Sequence, residues 1–438
     1  MTSVTEIASA MKSLLTETAR RLGRETKFVE RASKLDGAAF AQTCVLGWSE
    51  HPDAALSQLC QTAARVGVEI TPQGLDQRFD QEAASLLRKL LEEAAHLVVR
   101  TDSAVLPLLA RFTAVQIQDS TTISLPDGLA AIWQGCGDAV GGHLAALKVQ
   151  VCLDVLSGTL HDLLLASART SDQRLASSPD TLPPGALAIA DLGYFALDRL
   201  AAVAQRPAFF LSRLLVGTAV FDAAGQRLVL EEWLGHETAP EVERTVTIGV
   251  REHLEVRLLA VRVSQEIADQ RRRRLKEVAR RKGQTLSPRR LVLADWSILV
   301  TNAPPDKLNV DEAFVVARVR WQIELLFKLW KSHAKVDEWR TTKDWRILCE
   351  VYAKLLGVIL QHWLIVASCW AAPDRSLVKA AATVRDHALL IIYALRGEFD
   401  LVTVLTLLQE TLAACPKLER RVKRPATFQL LENLENAA

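Results

Sequence analysis

The sequence contains no CxxC pair. Its seven cysteines, Cys44, Cys60, Cys136, Cys152, Cys349, Cys369 and Cys415, are odd in number and scattered. That argues against a zinc site and against a disulfide framework, and suits a reducing cytosol. A strong net charge is also missing: 53 Lys and Arg against 51 Asp and Glu leave +2, so overall charge does not announce nucleic acid. The first residues, "MTSVTEIASAMKSLLTETARR", place acids and polar groups where a signal peptide needs an apolar core, so no export signal is expected. The most apolar stretch, 355–372, is interrupted by Gln361 and His362 and flanked by Lys354 and Asp374. It reads as a buried core helix rather than a membrane span. No internal repeat and no low-complexity tract is present.

What is there is a chain of 438 residues, 49% hydrophobic and 24% charged, the profile of a soluble globular protein of two or three domains with a substantial core. The basic residues are unevenly spread. "RRRRLKEVARRKG" (271–283) holds eight against one acid, and "ERRVKR" (419–424) four against one. Such runs are either solvated helix faces or phosphate-contacting strips.

Residues 1–100 read as helical. The stretch 53–67 has helical periodicity and stops at Gly67. The stretch 71–98 restarts with Thr71 as N-cap and Pro72 at the first helical position. Two helices joined by a short Gly-containing turn match a helix-turn-helix unit. The second would present Gln73, Gln77 and Arg78 near its start, side chains suited to base edges and phosphates; an ordinary helical hairpin is the plainer alternative.

The texture changes near residue 112. Strands are expected over 112–126, 144–158, 159–169, 185–195 and 206–214, with a helix before the last. Three successive strands followed by strand-helix alternation suggest a mixed sheet in an α/β domain. Residues 215–265 are again strand-like in "QRLVLEEWL", "RTVTIGV" and "VRLLAVRV". A basic helix over 266–283 and a strand over 290–302 follow, so 215–290 reads as a β-rich insertion. A long helix is expected over 309–336, and helices from there to the end.

Asp119 and Asp191 end or follow apolar strands. A carboxylate there is poorly solvated and needs a cation, a donor or a proton. "RWQIELLFKLWKS" (320–332) adds a third acid, Glu324. On a regular helix, with Arg320 at zero, Glu324 lies at about 40° and Lys331 at about 20°, with Phe327 and Lys328 close by. The remaining positions are apolar nearly all round, which implies burial. Three carboxylates suit hard divalent cations such as Mg²⁺ or Mn²⁺. Two ions about 4 Å apart can activate a water or a 3′-hydroxyl for in-line phosphoryl displacement, and cations on the same face would hold phosphates.

At these residues the sequence resembles the DDE transposases of the insertion-sequence-four type, in the ordered blocks "QDSTTISLP", "IADLGYF", "FFLSRL" and "RWQIELLFKLWK". The last block follows the pattern Tyr-x2-Arg-x3-Glu-x6-Lys, with Ala317 at the Tyr position. The resemblance, over roughly 110–335, implies an RNase H-like catalytic domain with a β-rich insertion. Asp119, Asp191 and Glu324 would be its metal-binding triad. Arg320 and Lys331 would contact transposon-end DNA, with Lys328 and Arg213 also among the DNA-binding residues. Trp296 could stack on a base flipped out at a hairpin; as a Trp in a strand it could equally be core.

The resulting expectation is an α/β protein: an RNase H-like mixed-sheet catalytic domain interrupted by a β-rich insertion and flanked by helical regions. The segments would be a DNA-binding domain (1–105), a first core part (106–214), the insertion (215–290), a second core part (291–372) and a C-terminal helical region (373–438) for dimer contacts. The implied activity is metal-dependent cut-and-paste transposition, with two Mg²⁺ or Mn²⁺ ions, a hairpin intermediate and strand transfer. It would act as a homodimer on terminal inverted repeats and target DNA, in the bacterial cytoplasm at the nucleoid. The alternatives are a nuclease of the same fold that transfers nothing, and an inactive DNA-binding derivative.

Overall fold

The computed structural model describes residues 2–435 except 32, 102–105, 138–143, 284, 286–287 and 424. The last residue of the 419–424 basic run therefore lies outside the described residues. The chain forms two compact units. One comprises Met1–Leu106, Gln118–Leu175 and Trp321–Gln429; the other comprises Pro107–Ile117, Ala176–Arg320 and Leu430–Ala438.

In the first unit, helices Gly37–Glu50 and Gln81–Ala95 pack around helix Asp344–Cys369. This 26-residue helix is long and apolar enough to cross a membrane by length and composition, yet 89% of its apolar window is buried inside the protein. It is the core helix expected over 355–372, extended by about three turns at its start and ending at Cys369. At Gly357 the helix lies close against helix Gly37–Glu50: a Cβ there would come 2.3 Å from Ser49 Oγ. Helix Leu56–Val66 ends where expected, on Gly67 in the left-handed region at φ +100°, a conformation glycine adopts without a Cβ clash.

The helix expected over 71–98 is instead two. Thr71 caps Pro72–Asp76 by accepting from Gly74 N, and the chain then breaks until Asp80 caps Gln81–Ala95 by accepting from Ala83 N. Asp80 competes for the backbone as N-caps do, so no continuous second helix of a helix-turn-helix exists here.

Among the described residues, ten strands form the sheet: β1 (Val115–Leu125), β2 (Ala145–Asp154), β3 (Leu160–Ser167), β4 (Leu187–Ala190), β5 (Phe209–Arg213), β6 (Val220–Phe221), β7 (Arg227–Leu228), β8 (Glu241–Ile248), β9 (Leu254–Arg262) and β10 (Trp296–Thr301). They hydrogen-bond in the order β3-β2-β1-β4-β5-β10-β9-β8-β6-β7. In the first unit β2 pairs antiparallel with β3, and every residue of β2 is buried. This mixed sheet with flanking helices is the α/β class expected, consistent with an RNase H-like core.

In the second unit, β4 and β5 run parallel, joined through helix Leu197–Ala204. β10 lies antiparallel to both β5 and β9. A core of Phe195, Phe210, Val246, Val256, Leu258 and Trp296 covers one region of these strands. Three local expectations fail here. "QRLVLEEWL" yields the two-residue β7 and then helix Leu230–His236; its Glu231 and Glu232 stand in the first turn, where the macrodipole favours acids. The strand expected over 290–302 begins only at Trp296, after helical turns Pro288–Val292 and Leu293–Asp295. The long helix over 309–336 is broken. Val310–Val316 starts from a capping box of Asn309 and Glu312, Ala317–Arg320 is a 3-10 turn, and Trp321–Ser332 is α-helical. Three valines, Val315, Val316 and Val319, crowd this break, where their branched side chains resist the regular helix.

Candidate active site

Each acid is built into its place by a different local device. Asp119 sits half-buried on β1, and its Oδ1 accepts from Ser120 N at 2.8 Å. Ser120 Oγ continues the network to Asp172 at 3.0 Å, and Asp172 accepts from Lys148 Nζ at 2.8 Å. Lys148 is on the buried strand β2, 8% exposed, and also donates to the Thr170 carbonyl at 2.7 Å. This Lys148–Asp172–Ser120 chain beside Asp119 was not anticipated from sequence. The signal for it was a lysine inside the apolar run "AALKVQVCLD", since a buried ammonium demands acceptors.

Glu324 lies half-buried on helix Trp321–Ser332, whose inward residues are Ile323, Leu326, Phe327, Leu329 and Trp330. Lys331, one face-repeat further along, donates from Nζ to the Thr122 carbonyl of β1 at 2.8 Å and stands 3.9 Å from Asp337. Lys328 is exposed. The helix is not buried all round: Trp321 is 54% and Leu325 50% exposed. Phe327, expected near the charged file, points into the core.

In the second unit, Asp191 follows β4 directly and begins the 3-10 turn Leu192–Tyr194. Its side chain is 43% exposed and stands 3.9 Å from Arg320 Nε. Arg320 belongs to the 3-10 turn and not to the α-helix. The 3-10 winding of about 120° per residue takes it off the angular file drawn at 100°; within the α-helix, Glu324, Lys328 and Lys331 still share a face.

Arg213 is exposed at the end of β5, opposite Leu299 of β10. Trp296 is different. It is 3% exposed, packed in the apolar core and covered by the Arg262 guanidinium 4.6 Å from its ring. A flipped base finds no open ring face there, so its expected stacking role is corrected to a core role. Arg78 is likewise used internally: it donates to the Phe28 carbonyl at 2.7 Å and lies 4.2 Å over the Phe28 ring. Part of this guanidinium is thus committed inside the fold. Gln73 and Gln77 are exposed, on and just after the five-residue helix Pro72–Asp76.

The carboxylates supply hard oxygen donors, the chemistry that Mg²⁺ and Mn²⁺ take. Among the described residues, no three His, Cys, Asp or Glu side chains are gathered closely enough to hold an ion. The donor types therefore fit a divalent metal, without a ready-made cage.

A transposase DDE domain matches residues 110–360, more than half of the chain. Among curated proteins, the chain is similar to the transposase for insertion sequence element IS231F of Bacillus thuringiensis subsp. israelensis, 26% identical over 94% of this chain and 91% of the relative. It is 27% identical to the IS231B transposase of Bacillus thuringiensis subsp. berliner, over 96% of this chain and 92% of that one. The IS1151 transposase of Clostridium perfringens is 23% identical over 80% of this chain and 78% of its own length.

Proposed function

The chain belongs to the DDE transposase family, of the insertion-sequence-four type, and on that premise we propose that it cuts transposon-end DNA and joins the freed end to target DNA. What supports this reading is that Asp119, Asp191 and Glu324 all fall, in the family's order, inside the matched span 110–360. These three carboxylates would hold two Mg²⁺ or Mn²⁺ ions, which when bound supply Lewis-acid activation of a water or 3′-hydroxyl and stabilise the leaving oxygen. The chain's own residues do the rest. Arg320 balances the Asp191 carboxylate and offers a fork of donors to a phosphate. Lys328 extends outward as a second phosphate contact. Lys331 fixes the carboxylate-bearing helix against β1. The proposed course is hydrolysis, hairpin formation on the opposite strand, hairpin opening and strand transfer, carried out by a homodimer on terminal inverted repeats.

The test is cleavage of the inverted-repeat DNA that brackets the gene. Asp119→Asn, Asp191→Asn and Glu324→Gln should each abolish Mg²⁺-dependent cutting and leave DNA binding intact; wild-type cutting by any of them sinks the assignment. Ala317, in place of the motif tyrosine, favours a second reading in which the chain has lost part of the reaction. Pre-cleaved ends that bind and yield no joined product would select a nuclease, and absence of cutting as well would select a DNA-binding derivative.

A further inference from the structure

The basic run 271–283 is absorbed by nothing above. It lies on helix Gln265–Arg281, capped by Ser264, and the fold divides its cations into two sets. The inward set is consumed by structure. Arg271 donates to the Trp296 carbonyl and to Ser297 Oγ, each at 2.9 Å. Burial, and secondarily Arg213, holds its pKa below the usual arginine value. Arg272 holds Asp269 at 2.7 Å and also pairs with Asp295.

The outward set is Arg273, Arg274, Lys276 and Arg280, all exposed. Among the described residues none of the four has an acid within ion-pair distance, whereas the neighbouring Arg281 shares Glu277 at 2.6 Å. On the helix Arg273 and Arg280 lie about 20° apart, and Lys276 about 40° beyond Arg280. Lys276 and Arg280 are i,i+4 neighbours and Arg273 and Lys276 are i,i+3, spacings at which like charges repel and weaken the helix. Glu277 stands at helical spacing from Arg273, Arg274 and Arg280 but is held by Arg281, which leaves the row an excess of positive charge that a polyanion laid along it would balance. With 17 residues the helix is about 25 Å long, enough to follow several phosphates of a duplex that carries one charge per roughly 1.7 Å. Arg273 and Arg274, with Gln270, Glu277, Val278 and Arg281, line an open depression beside the row, and Lys276 and Arg280 lie outside it. Long cationic side chains without a set of amides suit backbone contact, which positions a duplex and carries no sequence information.

We propose that the outward face of helix Gln265–Arg281 docks the phosphate backbone of a DNA duplex of arbitrary sequence, the target DNA. The identity of that duplex as target rests on the transposase reading above; the surface itself does not depend on cleavage.

The experiment is anisotropy titration of a labelled random-sequence duplex with the full chain, without divalent ions, across 50–200 mM salt. Replacing Arg273, Arg274, Lys276 and Arg280 with Gln should make the slope of log affinity against log salt shallower by roughly 3 to 4 and weaken low-salt binding by about ten-fold or more. The milder Arg273→Gln/Arg280→Gln pair, which guards against a misfolded quadruple variant, should shift the slope by roughly 2. Arg273→Lys/Arg274→Lys/Arg280→Lys keeps the charge and should keep the binding. An unchanged slope, or a wild-type chain with no salt-dependent duplex binding, overturns the proposal. So does a loss confined to an inverted-repeat duplex, which would assign the face to end DNA, or tighter binding of duplex RNA. Persistent duplex binding by a wild-type chain that cuts nothing would leave this surface standing and remove the transposase activity alone.

Discussion

The ammonium of Lys331 donates to the backbone carbonyl of Thr122, 2.8 Å away. Lys331 is seven residues along its helix from Glu324, and Thr122 three residues along β1 from Asp119. One charged hydrogen bond thus ties the element of one acid to the element of another. Lys331→Met should destabilise the chain by roughly 1 kcal/mol and lower cleavage more than it lowers end-DNA binding. Loss confined to DNA binding, with turnover of the bound complex unchanged, would make Lys331 a phosphate contact alone.

Asp172 bridges Lys148 and Ser120 beside Asp119. Asp172→Asn leaves a largely buried ammonium without its counter-charge, and should cost about 1–3 kcal/mol in thermal or denaturant unfolding. Cleavage should fall with it, and Lys148→Met combined with Asp172→Asn should recover part of the stability. Full activity and an unchanged melting point in the single variant would show that the network holds nothing in place.

Lys354 and Glu350 form an ion pair at 2.8 Å with side chains 1% and 3% exposed. Lys354 Nζ also donates to the carbonyls of Lys335 and Glu338, at 3.0 and 2.7 Å, closing the loop that follows the Glu324 helix. Lys354→Met strands a buried carboxylate and should destabilise by about 3–5 kcal/mol, while Glu350→Leu with Lys354→Met should regain most of that. Chemical denaturation of the three chains distinguishes the pair from a mere packing effect.

His362 is buried, with Nε2 2.7 Å from the Gly158 carbonyl and the Trp370 ring 5.5 Å away. Burial pushes its pKa down to about 4, against a weaker opposing pull from that carbonyl. The unfolded chain therefore takes up a proton below about 6.5 that the folded chain refuses. Stability should fall as pH drops from about 6.5 to about 4, by up to about 3 kcal/mol from this residue. His362→Gln should flatten that part of the pH profile; an unaltered profile would place the acid sensitivity elsewhere.

How far the sequence carried the argument can be seen residue by residue. Apolar alternation located most of the strands, and Gly67 and Thr71 marked real helix ends, because caps and periodicity are local signals. The same locality explains the misses. Trp296 and Arg78 have the right chemistry for nucleic acid, but their burial depends on Arg262 and Phe28, both distant in sequence. Arg320 looked continuous with Glu324 because a change of helical winding leaves no clear trace in composition. Lys148 reads as a plain strand residue in the sequence, since its partner Asp172 comes from beyond β3. The basic helix is the converse: its run was plain, yet which arginines face outward depended on Trp296, Ser297 and Asp295.

The chain leaves β5 at Arg213 and returns on β10, where Leu299 stands opposite Arg213. Everything between is therefore a detour whose two ends are neighbours. β9 pairs along all six residues of β10, and beyond it the series shrinks through β8 and β6 to the two-residue β7. A long, flat strand left at a margin invites pairing with other molecules, and a two-residue strand offers almost no template. The insertion thus moves the margin from β10 out to β8, of which β6 pairs only Thr247 and Ile248, and the charged side chains of Glu241, Glu243 and Arg244 along the rest of β8 disfavour pairing with another copy. A chain with 214–295 excised would regain a naked β10, and the expected defect is aggregation before any loss of chemistry.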